Sequence, residues 1–399
     1  MTDHSLPPSP TRSPFPWGSI AAIALLLGAL LWLFWPASRE VAEAPDAASG
    51  GNAGAEYVTA HPEIPRIDVH VHLAPAHYLE ALEHMDTGHV RIALNASGGA
   101  ADGALSLSMR VAEETGGRIL PYCNVRFVRL DEPGLEEALR QSVSRCKAQG
   151  GVGIKIAKSL GLGIPAPEGG LLAVDDPRLD PLFDEAGRQG LPVLIHAGDP
   201  QAFFRPPSAD NERYAELLAH PGWSFHGLRS NGEPWPSWET VFAQYERRVA
   251  RHPATTFVGA HFGNAPEEPE RVGRMLAAYP NLMIETGARV PEIGRHPASS
   301  MRRLFETYQD RILFGTDLAV TSEGLTLGSR GQEHDPRGRV APFFAAHWRY
   351  FETDDEDFAH PTPIQGDWTI DGLALPPAVL EKVYFRNALR VFGVELPRD

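Results

Sequence analysis

Cysteine is scarce in this chain, with only Cys123 and Cys146 among 399 residues. Neither belongs to a C-x-x-C pair, so a zinc ribbon or a multi-bridge disulfide framework is excluded. The expectation for both is a buried apolar thiol, the usual place of free cysteine. A bridge between them stays open if the domain lies outside the cytoplasm, where disulfides persist. Basic charge is also short: 36 Lys and Arg stand against 51 Asp and Glu, a net charge of -15. Such a chain repels polyphosphate, which argues against nucleic acid and for small-molecule partners. A Walker-type Gly-rich loop and a serine nucleophile elbow are missing too, leaving nucleotide hydrolysis by those routes without support.

What the chain does have is one long uncharged run, WGSIAAIALLLGALLWLFW, at residues 17–35. As a helix it is long enough to cross roughly 30 Å of hydrocarbon, and its terminal tryptophans suit the two interfaces. A cleaved signal peptide is the rival, but its apolar core is shorter, and the small-x-small site Ala42-Glu43-Ala44 lies well downstream. The expected organisation is a short tail (1–16), a transmembrane anchor (17–35), an Ala/Pro/Gly-rich flexible linker (36–63) and a folded domain (64–399). Arg12 and Arg39 flank the span one on each side. The reading adopted is a cytoplasmic tail and an extracytoplasmic catalytic domain. Self-association is left open.

After residue 64, short β-rich runs alternate with helical ones. The runs are 66–73, 89–95, 118–125, 152–157, 191–197, 255–262, 281–286 and 311–317, and helical stretches separate them. Eight such units predict an α/β fold, a TIM (β/α)8 barrel, with its active site built at the C-terminal ends of the strands. The long connections after runs four, five and eight are the expected seat of specificity.

His70 and His72 are two apart on the first run and point to one side, which Asp68 shares. Alone, a His-x-His pair is a moderate signal. It gains weight from recurrence, because His196, His261 and Asp317 end runs five, six and eight at the same mouth. Three imidazoles and a carboxylate would hold a divalent transition metal and leave room for water.

At this point the chain resembles the amidohydrolase superfamily, in the amidohydrolase 2 branch that also contains aminocarboxymuconate-semialdehyde decarboxylase and related decarboxylases. The resemblance covers about 64–393 and is carried by RIDVHVHL, GIKIAKSLGL, LPVLIHAGDPQAFF, FVGAHFGN, NLMIETGARVPEIGR, DRILFGTDL and VYFRNALRVFG. It implies His70, His72, His196 and Asp317 as ligands of one divalent metal, zinc in first place, with Mn, Fe or Co also suited. It implies a catalytic acid/base role for His261, with ligation as the alternative, and a proton-accepting role for Asp317. Two-metal relatives carry a carbamylated lysine at the end of strand four. The branch resembled here generally uses one metal, so Lys155 and Lys158 are read as partners of a substrate carboxylate, with carbamylation or a structural ion pair as alternatives.

Arg289 and Arg295 offer planar forks for a carboxylate, and Arg289 is taken as a substrate-binding candidate. Phe203 and Phe204 either wall a pocket or glue their insertion to the barrel. His347, Trp348, Arg349, Tyr350 and Phe351 are read as a lid over the mouth, while Asp354 to Asp357 read as a solvated charge run. The function expected is metal-dependent hydrolysis of a small amide, ester or lactone by an activated water. Non-oxidative decarboxylation is the alternative, and a non-catalytic membrane-tethered binding protein is a third.

Overall fold

In the computed structural model, residues 58–128 and 130–397 are described. The expected tail and anchor, and the linker up to residue 57, lie outside them. Among the described residues no helix is long and apolar enough to cross a membrane.

The strands are β1 (Arg66–Leu73), β2 (Val90–Asn95), β3 (Ile119–Pro121), β4 (Cys123–Asn124), β5 (Ile154–Ile156), β6 (Val193–Ile195), β7 (Phe257–Gly259), β8 (Leu282–Glu285), β9 (Ile312–Leu313), β10 (Leu318–Thr321) and β11 (Gly324–Leu327). From β1 to β3 and from β4 to β9 neighbours pair in parallel. The third run breaks at Tyr122, whose N–H bonds Asn95 O at 3.0 Å before Cys123 N–H crosses to Gly153 O at 2.8 Å. One run therefore serves both arcs. The eighth run breaks at Asp317: Val69 N–H reaches Phe314 O at 3.0 Å, and β10 then pairs parallel to β1. These links close the ring as a (β/α)8 barrel.

Leu194, Val258 and Met283 pair across β6 to β8, and Lys155 of β5 continues their layer. Together with Ile67, Val69, Leu94 and Leu313 the apolar members fill the barrel, and Phe392 packs against this cluster. A register shift between Asp68 and Val71 interrupts the alternation of β1. Asp68 consequently does not join His70 and His72; it accepts from the Thr316 hydroxyl at 2.5 Å and from Thr316 N–H at 3.1 Å, stapling β1 to the eighth run.

The outer helices follow amphipathic spacing. Trp238–Arg251 buries Trp238, Val241, Phe242, Tyr245 and Val249, and Ser237 caps it by accepting from Thr240 N–H at 3.1 Å. The helix Leu135–Gln149 stops at Gly150, whose φ of 90° suits a residue without a Cβ. Cys146 on this helix is bonded to Cys123 of β4 as a disulfide, so these are not the free thiols expected.

The segment read as a lid is no lid. His347, Trp348, Tyr350 and Phe351 are buried in the helix Val340–Glu352. Trp348 packs against Phe314, tilted, with ring centroids 5.1 Å apart, and lies 4.4 Å from the Arg66 guanidinium, at the start of β1 and away from the mouth. Its aromatics are spaced to bury one helix face, which the apolar count alone does not distinguish from a cover.

Candidate metal centre

Each predicted residue sits at or just beyond the C-terminal end of a strand. His70 and His72 lie in β1, Lys155 in β5, His196 follows β6, His261 follows β7, and Asp317 lies between β9 and β10. His261 (φ 54°) and Asp317 (φ 61°) hold left-handed backbone, which costs a non-glycine residue about 1–3 kcal/mol. Asp317 is pinned there by its N–H to His70 O at 2.8 Å, and His261 by its N–H to Glu285 Oε1 at 2.7 Å. The turns aim both side chains back into the mouth.

Two groups result. In the first, His70 Nε2 lies 3.5 Å and His72 Nε2 lies 3.4 Å from Asp317 Oδ1, close enough to share an ion. His72 Nδ1 contacts Ser97 Oγ at 2.7 Å, and Lys155 Nζ reaches His70 Nε2 at 2.9 Å. In the second, His196 Nδ1 lies 3.3 Å from His261 Nε2, and the rings are 4.2 Å apart. His196 is not drawn into the first group, although the tilted rings of His70 and His261, 5.0 Å apart, join the two.

Burial, before any neighbouring cation, drives His70 and His261 well below the ordinary imidazole range, and takes His196 to about 4. Neutral imidazoles are the form that ligates metal. Burial also raises the Asp317 carboxyl to about 7 and brings the Lys155 ammonium down to about 8.

The donor set fits a metal. His261 Nδ1 lies 2.8 Å from Gly287 O, which can only accept, so Nδ1 carries the proton and Nε2 is bare. His196 must then donate from Nδ1, leaving its own Nε2 as a buried lone pair with no hydrogen-bond partner. That nitrogen faces Asp199 Oδ1 at 3.5 Å. Two acceptors facing one another is an arrangement a cation relieves.

Arg289 is buried, and its Nε lacks a hydrogen-bond partner. With His196, Asp199, His261 and Asn264 it lines a cavity of about 10 Å³, room for about one water. Arg295 instead pairs with Glu212 at 2.8 Å on the surface. Lys158 is engaged by Asp199 at 2.6 Å and lies 5.3 Å from the Trp223 ring. Phe203 is buried and stacks on Trp223, which is packing rather than pocket wall. A cleft of about 500 Å³ beside the helix Leu135–Gln149 is lined by none of the predicted residues.

Glu285 and Ser97 escaped sequence reasoning, whereas Asp199 belongs to the polar and aromatic insertion after run five that reads as a pocket wall. Glu285 had a visible signal, a carboxylate inside the apolar run NLMIET; it is fully buried and its Oε1 lies 2.9 Å from His70 Nδ1. Burial raises the Asp199 carboxyl, and the Lys158 ammonium at 2.6 Å outweighs it and brings the group down to about 2. Ser97 carried no signal.

The family model described as Amidohydrolase matches residues 67–394. Among solved structures, the chain is similar to 2,6-dihydroxybenzoate decarboxylase from Rhizobium, at 16% identity and a TM-score of 0.47 over 82% of this chain and 98% of that one. It is similar to 5-carboxyvanillate decarboxylase from Sphingomonas paucimobilis, at 17% identity and 0.45 over 79% and 83%. It is also similar to a protein from Acinetobacter baumannii described as a 2-pyrone-4,6-dicarboxylic acid hydrolase, at 12% identity and 0.46 over 82% and 99%. At that level of likeness none of these chemistries transfers. No curated protein matches the chain.

Proposed function

Because the chain belongs to the amidohydrolase family, whose model spans most of its length, we propose that it is a metal-dependent hydrolase of a small, carboxylate-bearing amide, ester or lactone, acting through an activated water. The observation that carries this reading is the convergence of His70 Nε2, His72 Nε2 and Asp317 Oδ1 in one barrel mouth, with the bare Nε2 of His196 in the adjoining histidine pair. A divalent cation held by these four residues, zinc or else Mn, Fe or Co, would supply a Lewis acid and a water of lowered pKa.

The chain's own groups do the rest. Asp317 presents its carboxylate in the mouth between His70 and His72, where it can accept a proton from a water. His261 presents the bare Nε2 left by its bond to Gly287 O, and accepts or returns a proton there. Arg289 offers its guanidinium, and Lys155 its buried ammonium, to a substrate carboxylate. Lys158 reaches such a carboxylate only by exchanging Asp199.

The same cations would grip a carboxylate about to be expelled, so decarboxylation is the second reading. The deciding experiment is metal analysis of the purified full-length chain, with product identification across lactones, amides, esters and aromatic carboxylates. A new carboxylate with a leaving group supports hydrolysis, and carbon dioxide release replaces it with carboxy-lyase chemistry. Full activity without metal refutes both.

We also propose that residues 17–35 tether the enzyme to a membrane, with the barrel on the extracytoplasmic side. The Cys123–Cys146 bridge supports that side, since oxidising compartments preserve disulfides.

A further inference from the structure

We propose that Glu285 is the positioning residue of this centre: its carboxylate fixes the His70 imidazole in the tautomer that leaves Nε2 bare toward the metal, and holds the backbone that aims His261. The inference rests on the metal-dependent reading above.

Glu285 ends β8 with no exposed surface. Its Oε1 lies 2.9 Å from His70 Nδ1 and 2.7 Å from His261 N, and its Oε2 accepts from Gly287 N–H. Its two backbone partners, His261 N–H and Gly287 N–H, can only donate, so both carboxylate oxygens accept from them. The Lys155 ammonium, a donor only, lies 2.9 Å from His70 Nε2, so that nitrogen accepts and the ring proton sits on Nδ1, facing Glu285 Oε1. A neutral imidazole has one N–H, and Nε2 is then bare. That nitrogen is the one facing Asp317 Oδ1 at 3.5 Å.

The slot is shaped for this side chain. A Cβ at Gly287 would stand 2.7 Å from Glu285 Oε2, and one at Gly315 would stand 2.5 Å from it. Both loops lie against the carboxylate because neither residue carries a side chain. The left-handed turn at His261 depends on the same oxygen that orients His70, so one group sets a ligand and the acid/base residue together.

Glu285→Gln cannot reproduce this. An amide whose oxygen serves His70 and His261 turns its NH₂ on Gly287 N–H; reversed, the NH₂ faces His70 and His261. In the reversed case His70 relieves the clash by moving its proton to Nε2, and the ligand atom is lost.

The test uses the full-length protein stripped by chelator, titrated with Zn²⁺ alone in competition with a chromophoric chelator. E285Q should bind zinc about ten- to a hundredfold more weakly than wild type with its circular dichroism unchanged. E285D, which keeps the charge, should bind more tightly than E285Q. Zinc affinity of folded E285Q within twofold of wild type would overturn the proposal. Should E285Q fail to fold, ring-¹⁵N-histidine spectra of metal-free wild type decide the point, with the His70 signal identified by its loss in His70→Gln. A protonated Nδ1 is expected, and a protonated Nε2 overturns the proposal. If wild type takes up none of Zn²⁺, Mn²⁺, Fe²⁺ or Co²⁺, the metal-dependent reading fails, while the tautomer measurement still judges Glu285.

Discussion

Reducing the Cys123–Cys146 bridge should lower stability by an amount that follows from its place in the chain. The two cysteines are 23 residues apart, and closing a loop of that length removes about 11 cal/mol/K of entropy from the unfolded chain, or about 3 kcal/mol at 25 °C. With a urea dependence of about 3 kcal/mol/M, the midpoint should fall by about 1 M on reduction. The bond ties β4 to the helix Leu135–Gln149, and both sulfurs are buried in the barrel's helical shell. No other described cysteine can substitute for either partner. The assay is urea unfolding of the full-length protein with and without reductant, followed by tryptophan fluorescence, with thiols counted under denaturing conditions. Coincident unfolding curves would refute the stabilisation. Two free thiols in protein prepared from an oxidising compartment would refute the bridge itself.

Three further outcomes are expected. His72→Ala and Asp317→Asn should lose metal and activity together, read by metal analysis and turnover; zinc at a hundredfold excess over its Kd should stabilise wild type by about 2.7 kcal/mol and neither variant by as much. Glu352→Ala removes the buried counter-charge of Arg66, whose ion pair with Glu352 at 3.1 Å has no exposed side-chain surface on either partner; the guanidinium keeps its bonds to Ile64 O, Thr59 Oγ1 and His61 O, and the loss should cost about 3–5 kcal/mol in urea unfolding. Glu185 is held near 2, first by hydrogen bonding from Arg188 and then by Gln189 and Ser144. Its depressed pKa stabilises the fold above the ordinary glutamate range, and that contribution fades as pH falls through about 2. Glu185→Gln should therefore be less stable than wild type at pH 7 and converge with it in acid, as urea midpoints at several pH values will show.

Much of this architecture is legible in one dimension. The eight β-rich runs stand out because apolar residues concentrate in short stretches between amphipathic helices, and His70, His72, His196, His261 and Asp317 stand out because chemistry-bearing side chains interrupt those runs at their ends. A strand's end is a local property, so the sequence by itself determined which residues share the mouth. It could not determine how they face one another. The division into a His70–His72–Asp317 group and a His196–His261 pair depends on left-handed turns at His261 and Asp317, which hydrogen bonds from distant strands sustain. Asp68 looked like a third member of the mouth until a register shift in β1 turned it to Thr316. The aromatic helix Val340–Glu352 had the composition of a cover, but Arg66 and Phe314, far away in the chain, supply its packing surface. Glu285 shows the difference most clearly: the chain marks it as a carboxylate among apolar neighbours, and only the closing of the barrel brings His70, 215 residues away, to its oxygen. Residue type and periodicity are written locally, whereas hydrogen-bond partners are chosen by burial, which removes water as an alternative and leaves each polar group to whatever the fold places beside it.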